Sequence, residues 1–277
     1  MKLKYFFTTI VLFVAFILFK GLNLNSKVLH FNLDNFLNFN NKMDITEVKL
    51  NIISEFFDDG NGPLNAIQGL DGTSEDYKFE LFIANGYKNS LGYINFKNLL
   101  LTKKIKNQTK KGGIELLADV YFRDTESIFW TSYRNSFIYK SNDKLKLSKE
   151  IFAKNFNNPI GISGNNNQIV VADYDNHEVV SLNNNGKEIW RKKYYINFKL
   201  QKSPYGVTLY KNSIFISFNF HENFKIMKLD LDGRIKKISK PIKINGLSVD
   251  NLQGIDVDSK GQLYVHDTGN KRILLFD

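Results

Sequence analysis

The segment "GQLYVHDTGNKRILLFD" (261–277) decides the fold. An alternating apolar strand, a Gly-Asn turn and a second apolar strand together predict a β-hairpin. The sequence as given ends with that second strand, and an uncovered apolar strand edge promotes aggregation. We therefore expect another segment of the chain to pair with the last strand.

The same pattern occurs a second time in the chain. The stretch "NLQGIDVDSKGQLYVHDTGNKRILLFD" (251–277) matches "NNPIGISGNNNQIVVADYDNHEVVSL" (157–182). Each copy has a Gly-Ile strand, a polar turn, an alternating strand that ends in Asp, a turn with Asn and a third apolar strand. The matched pairs are Gly161 and Gly254, Asp173 and Asp267, and Asn176 and Asn270.

Three weaker copies complete the series, with starts at Gly69, at about residue 118 and at Gly206. The five starts are separated by steps of about 43 to 49 residues, which is typical of four-stranded β-propeller blades. No helical pattern lies between the strands, so a parallel sheet with crossover helices is disfavoured. The sequence predicts an all-β propeller whose blades stack around an axis.

Blade number and ring closure follow from the lengths. Residues 45–277 fit five blades of about 47 residues each, whereas a sixth would have to come from residues 28–62, which is short for a blade. The alternating segment "ITEVKLNIISEF" (45–56) has no repeat of its own. It predicts that Lys49–Ile53 pairs with Ile273–Phe276 as the outer strand of the last blade. The two ends of the chain would then close the ring.

The segment "GIDVDSKGQLYVHDTGNKRILLFD" (254–277) resembles an NHL repeat, and "PIGIS", "IVVADYDNHEVV" and "NNNGKEI" form a second match. The resemblance implies a propeller fold and no particular activity. Amidating lyases of similar fold carry metal-binding histidines before the inner-strand glycine. Here Gln68, Ile160, Tyr205 and Gln253 hold that position, so the resemblance carries over no such metal site.

The amino terminus predicts export. Lys2 and Lys4 precede a largely apolar run from Tyr5 to Phe19, which has the size of a signal-peptide core. No small residues suited to cleavage follow, so a cleaved signal and an uncleaved signal-anchor helix both stay open. The predicted division is a signal or anchor (1–20), a tether with a short strand at Val28–Phe31 (21–44) and an NHL-like propeller (45–277). The propeller would face the periplasm from the inner membrane, or be secreted after cleavage.

Composition excludes several classes of function. The chain has no cysteine, which removes disulfides, thiolate metal sites and a lipid-modified cysteine. Its net charge is +10, but the basic residues are dispersed, so we expect no nucleic-acid partner. His266 and Asp267 are adjacent on a strand and point to opposite faces, which argues against a catalytic pair. No set of converging oxygens predicts a metal or cofactor.

Asp173 and Asp267 recur at one blade position, which indicates that they hold tight turns, and Asn176 and Asn270 suit a left-handed turn conformation. Most aromatic residues should pack between blades. Repeat register places Gln68, Tyr205 and Gln253 at one mouth of the channel, and Tyr133 and Tyr174 are further binding candidates. The favoured hypothesis is a binding or scaffold module for an unknown protein or small-molecule ligand. The alternative is a lactonase-like hydrolase or lyase with a divalent metal in the channel.

Overall fold

The computed structural model describes fourteen segments of the chain: 28–31, 67–75, 78–85, 90–95, 100–106, 116–124, 127–133, 136–142, 150–196, 199–219, 225–239, 243–244, 247–270 and 272–276. Strands are the only regular elements within them, as the alternating patterns predict, and no helix there could cross a membrane. The predicted signal or anchor (1–20) and Lys49–Ile53 lie outside these segments.

The strands of the first half are β1 (Val28–Phe31), β2 (Ile67–Glu75), β3 (Lys78–Asn85), β4 (Ser90–Asn95), β5 (Leu100–Lys106), β6 (Leu116–Asp124), β7 (Ser127–Tyr133), β8 (Ile138–Ser141), β9 (Glu150–Ala153), β10 (Pro159–Gly164), β11 (Gln168–Asp173) and β12 (Glu178–Asn183). Those of the second half are β13 (Glu188–Lys192), β14 (Tyr194–Ile196), β15 (Lys199–Gln201), β16 (Pro204–Tyr210), β17 (Ser213–Phe218), β18 (Lys225–Leu229), β19 (Ile235–Ile238), β20 (Lys243–Ile244), β21 (Leu247–Ser248), β22 (Leu252–Val257), β23 (Leu263–Asp267) and β24 (Arg272–Phe276).

Four sheets each contain four strands that are consecutive in the chain: β2–β5, β6–β9, β10–β13 and β16–β19. Their antiparallel meander is the propeller blade that the repeats predict. Two short hairpins, β14–β15 and β20–β21, lie between sheets. The described part of the chain is therefore an all-β, propeller-like fold.

A further four-stranded sheet has the order β1-β24-β23-β22, so it joins the last repeat to a segment near the amino terminus. The pairing of a segment near the amino terminus with Ile273–Phe276 is confirmed, but the expected segment is wrong. Val28–Phe31 pairs with all four positions, in parallel orientation. One edge of β24 pairs with β23, and β1 pairs with the other edge. No tight turn joins β1 to β24, so the connection does not require the two strands to be antiparallel.

The first strands of successive sheets, called here the inner strands, contact one another in the order β2, β6, β10, β16, β22. Each inner strand has a β-bulge near its start, where a glycine lies in most copies. We call this the glycine position; its occupants are Gly69, Asp119, Gly161, Gly206 and Gly254. A bulge re-aims the side chains that follow it, and here it does so at the same level of every sheet.

The apolar core lies between neighbouring sheets, as the aromatic-rich strands predict. Phe129, Ile138 and Phe156 pack against Ile162 and Val180 of the next sheet. Three similar clusters join the other neighbouring sheets. Trp130 and Phe129 are among the fully buried side chains.

Candidate functional site

The candidate site lies where the inner strands begin, at the end of the fold predicted to hold the ligand. Tyr205 is the second residue of β16, and Tyr174 directly follows β11. Their rings meet at 89° with centroids 5.9 Å apart. The two residues come from neighbouring sheets and form one aromatic corner.

Tyr205 is half-buried, and burial raises the pKa of its hydroxyl to about 12. Tyr174, Asp119 and Tyr133 add smaller electrostatic contributions in the same direction, so all three lie close to Tyr205. The hydroxyls of Tyr174 and Tyr205 have no hydrogen-bond partner within the part of the chain that the structure describes. Tyr205 thus has the other two tyrosines that the sequence nominates, and one aspartate, in its neighbourhood.

Of the other two predicted mouth residues, only Gln253 has a described side chain; that of Gln68 lies outside the described residues. Gln253 is half-buried, and its side-chain nitrogen donates to Asn251 Oδ1 at 3.5 Å. The backbone carbonyl oxygen of Gln253 accepts a hydrogen bond from Ser217 Oγ at 2.5 Å. Gln68 and Gln253 lie on β2 and β22, the first and last inner strands.

Sequence reasoning missed Asp119, which takes the glycine position of β6. Its Oδ1 accepts the Val120 N–H at 2.9 Å, and its Oδ2 accepts the Ile162 N–H of the next inner strand at 3.0 Å. Burial raises the pKa of the Asp119 carboxyl to about 7, against the lowering effect of both N–H donors; the Asp256 charge raises it further. A charged residue at a position otherwise held by glycine was the available signal.

Asp256 of β22 is the second carboxyl near the axis. Burial raises its pKa to about 6, although the Val257 N–H and the Thr208 hydroxyl both donate to Oδ1. Two carboxyls that titrate near neutral pH can exchange protons or bind a cation. Among the described residues, no group of three or more His, Cys, Asp or Glu could hold a metal ion.

The repeated aspartates are structural residues, as predicted, but their backbone and Arg partners lie outside the tight turns that they were expected to hold. Asp173 accepts the Asn157 N–H at 2.7 Å and pairs with Arg191 at 2.9 Å. Asp267 accepts the Asp250 N–H at 2.7 Å and pairs with Arg272 at 2.7 Å. His266 Nδ1 lies 3.4 Å from Thr268 Oγ1, and the Asp267 carboxylate is occupied elsewhere.

The predicted left-handed conformation of Asn176 and Asn270 is wrong. Both side-chain amides donate to the carboxylate three residues earlier, Asp173 and Asp267 respectively. The positive φ falls instead on His177, at 57°. In both copies the Asn amide therefore binds the aspartate, and in the first copy His177 takes the left-handed conformation.

No family model matches the chain, and no curated protein matches it. Among solved structures, it is similar to selenomethionine-substituted virginiamycin B lyase from Staphylococcus aureus, with a TM-score of 0.53 and 17% identity over 76% of this chain and 69% of that chain. A catalytically inactive variant of that lyase with quinupristin has a TM-score of 0.53 and 14% identity, over 81% of this chain and 67% of that one. A nidogen/laminin complex follows, with a TM-score of 0.49 and 14% identity over 66% and 68%.

These likenesses define the class of fold and nothing narrower. At such identities the comparison with the lyase shows an all-β propeller, in agreement with the sheet order of this chain. Propellers serve both as enzymes and as binding proteins, so function has to be argued from the side chains around the axis.

Proposed function

We propose that the chain is an exported, inner-membrane-tethered, NHL-like propeller of five blades that acts as a ligand- or protein-binding module. Its binding site is the mouth formed by Tyr133, Tyr174 and Tyr205 around Asp119, with Gln68 and Gln253 on its border. The propeller fold supports the proposed binding role, and the apolar run from Tyr5 to Phe19 supports the proposed membrane tether.

The single observation that carries the proposal is the perpendicular Tyr174–Tyr205 pair beside Asp119. Aromatic faces attract cations through their quadrupole, and a nearby carboxylate adds a charge of the right sign. The unpartnered hydroxyls offer hydrogen bonds at the rim. The favoured ligand therefore presents a cationic group, on a small molecule or on the surface of a protein.

Choline is a suitable probe, and 3,3-dimethylbutan-1-ol is its uncharged counterpart of nearly equal shape. At pH 8, calorimetric titration should show binding of choline and none of the alcohol at the same concentration. Tyr205→Ala should weaken choline binding about tenfold or more, since a desolvated cation–π contact contributes roughly 2 kcal/mol. Tyr195→Ala is the matched control, because Tyr195 is 57% exposed on β14 and is not part of the aromatic corner. Equal binding of both probes, or no effect of Tyr205→Ala, counts against the proposal.

Export is tested separately. An alkaline phosphatase fused after residue 45 should be active, because Lys2 and Lys4 would stay in the cytoplasm while the following chain crosses the membrane. The same fusion without residues 1–20 should be inactive. Activity that does not depend on residues 1–20 would remove the membrane tether from the proposal.

The metal-dependent hydrolase or lyase stays as a second candidate because Asp119 and Asp256 both have raised pKa values and are close enough to repel each other. A divalent cation would relieve that repulsion and hold both carboxyls ionised. Elemental analysis of the purified protein distinguishes the candidates. Stoichiometric calcium or zinc that is lost in an Asp119→Asn, Asp256→Asn double variant would favour the enzyme.

A further inference from the structure

Three inner strands, β10, β16 and β22, begin after a residue with positive φ that lies three residues before the glycine position. The φ angle is 51° at Asn158, 55° at Ser203 and 62° at Asn251. Asn adopts this left-handed conformation readily, because its short side chain can hydrogen-bond locally, whereas Ser does so less often. Ser203 therefore needs support from other residues, and it directly precedes Pro204 and Tyr205 of β16.

Two hydrogen bonds support the backbone of Ser203, which is buried. Its carbonyl oxygen accepts the N–H of Asn219, which follows β17 of the same sheet, at 3.0 Å. Its N–H donates to Nδ1 of His177 at 3.3 Å, and His177 lies in the turn between β11 and β12 of the neighbouring sheet. Within the described chain this N–H has no other acceptor.

His177 thereby joins the two chain segments that form the aromatic corner. Its backbone N–H donates to the Tyr174 carbonyl oxygen at 3.2 Å, and its Nδ1 lies 3.0 Å from the same oxygen. Through Ser203 it also holds the chain two residues before Tyr205. Pro204 lies between these two residues and has a φ locked by its ring, so the backbone has little freedom to turn Tyr205 away.

The two contacts of His177 Nδ1 require opposite states of that atom. With a proton, Nδ1 donates to the Tyr174 carbonyl; without one, it accepts the Ser203 N–H. The Tyr174 carbonyl already accepts the His177 backbone N–H, whereas the buried Ser203 N–H depends on Nδ1 alone among the described residues. Since a buried donor without a partner is destabilising, the contacts assign the proton to Nε2 and the lone pair of Nδ1 to Ser203.

We propose that His177 is a positioning residue of the mouth, whose Nδ1 lone pair holds Ser203, and through it Tyr205, in the orientation that meets Tyr174. This role rests on the proposed function, because it matters for binding only if the aromatic corner holds the ligand. The contact and the geometry that it fixes are present without any ligand. His177 acts through Ser203 and is assigned no contact with the ligand.

Two substitutions separate the side-chain acceptor from the backbone conformation. His177 has a φ of 57°, which both Asn and Gly accommodate. In His177→Asn, the amide oxygen can replace Nδ1 as the acceptor, whereas in His177→Gly no acceptor remains. Lys211→Gly is the control for an added glycine, because Lys211 is exposed and has a φ of 51° in the turn between β16 and β17.

Amide hydrogen exchange measured by NMR tests the contact without a ligand. In His177→Gly the Ser203 N–H should exchange about three- to tenfold faster than in the parent protein, which corresponds to one net hydrogen bond. The Thr268 N–H, which donates to the Asn251 carbonyl at 3.1 Å, should exchange at its parent rate. His177→Asn and Lys211→Gly should both keep the parent rate at Ser203. Unchanged Ser203 exchange in His177→Gly, or equal acceleration in His177→Asn, would overturn the proposal.

Calorimetric titration with choline measures the consequence for the mouth. His177→Gly should weaken choline binding about three- to tenfold, and His177→Asn should restore it. Choline binding that is present in the parent protein and unchanged in His177→Gly would refute the positioning role and leave the proposed function intact. If the parent protein binds no choline, the proposed function fails, and a ring-proton NOE between Tyr174 and Tyr205 decides the positioning role. That NOE should weaken in His177→Gly and return in His177→Asn; equal intensity in all three proteins refutes the role.

Discussion

Individual residues explain why the repeated aspartates differ in importance. Arg191 contacts Glu178 and Glu188 as well as Asp173, and its side chain is 22% exposed. The side chain of Arg272 is only 9% exposed, and its buried Nη2 atom has no hydrogen-bond partner among the residues that the structure describes. Among the described residues, Asp267 is the carboxylate that pairs with Arg272. The same aspartate therefore neutralises a shared cation in one sheet and a nearly isolated one in another.

Asp267→Ala should consequently destabilise the protein more than Asp173→Ala. Removing Asp267 leaves a buried guanidinium without compensation, a loss of about 3–5 kcal/mol. Asp173→Ala removes hydrogen bonds but leaves Arg191 two carboxylates, so a loss of about 1–3 kcal/mol is expected. Urea denaturation at pH 7 measures both. Equal losses would contradict the difference between the two cations.

The Asp119 carboxyl should titrate near neutral pH. Because its pKa is raised to about 7 from 3.8, the native state binds the extra proton, and the stability it contributes is present below about pH 4 and lost as pH rises through 7. Burial is the main cause and the Asp256 charge a smaller one, so Asp256→Asn should lower the Asp119 pKa. A ¹³C NMR titration of the aspartate carboxyls measures this. Asp232→Asn, in an exposed turn, is the control. An Asp119 pKa that is unchanged in Asp256→Asn would show that the Asp256 charge does not act on Asp119.

Asp119 also marks what the sequence could not reveal. The tyrosines and the glutamines could be nominated because they share a register with recognisable repeats. Asp119 lies in a weaker copy, where the bulge shifts the register by one residue and a charged side chain stands in the place of glycine. Whether such a residue faces the axis depends on how closely the next inner strand approaches, which is a tertiary property.

At the scale of elements, three of the described turns are encoded locally. Asn183, Asp230 and Asp258 each accept two backbone N–H groups from the turn that follows, and each turn has a glycine with positive φ. An Asn or Asp followed three residues later by Gly encodes this arrangement locally. Local encoding is why the strand pattern could be recognised without any long-range information.

Asn183→Ala should therefore weaken the turn between β12 and β13. Its Oδ1 accepts the Asn185 N–H at 2.9 Å and the Lys187 N–H at 3.0 Å, and losing both should cost about 1–2 kcal/mol. Asn185→Ala, whose side chain is exposed, should stay within about 0.5 kcal/mol of the parent protein. Chemical denaturation compares the two variants. A loss confined to Asn185→Ala would show that backbone conformation, and not the Asn183 acceptor, stabilises the turn.

The identity of the edge partner of β24 was less predictable than the turns. Any short extended segment can pair with the edge of β24, because a pairing of four residues needs only backbone groups and no connecting turn. The sequence favours Lys49–Ile53 for its longer alternation, yet Val28–Phe31 forms the pair. Edge pairing between distant segments depends on where the intervening chain runs, and the pattern of a strand does not contain that information.

At the scale of the whole molecule, the propeller depends on contacts between segments far apart in sequence. Every core cluster joins two sheets, so each sheet needs its neighbour to bury its apolar face. The terminal sheets have one neighbour fewer than the rest. Their stability therefore depends on what covers their open face and their outer edge, and in the carboxyl-terminal sheet β1 pairs with that outer edge.

Two deletions separate the contribution of β1 from that of the segment before it. Removing residues 1–26 leaves β1 intact, whereas removing residues 1–31 exposes the backbone groups of β24. The shorter deletion should leave Tm unchanged. The longer one should lower Tm and cause concentration-dependent association, because an unpaired strand edge recruits other chains. Differential scanning calorimetry and sedimentation velocity at two concentrations measure these effects. If the two truncated proteins are equally stable and equally monomeric, β1 does not protect the β24 edge, and another segment must do so.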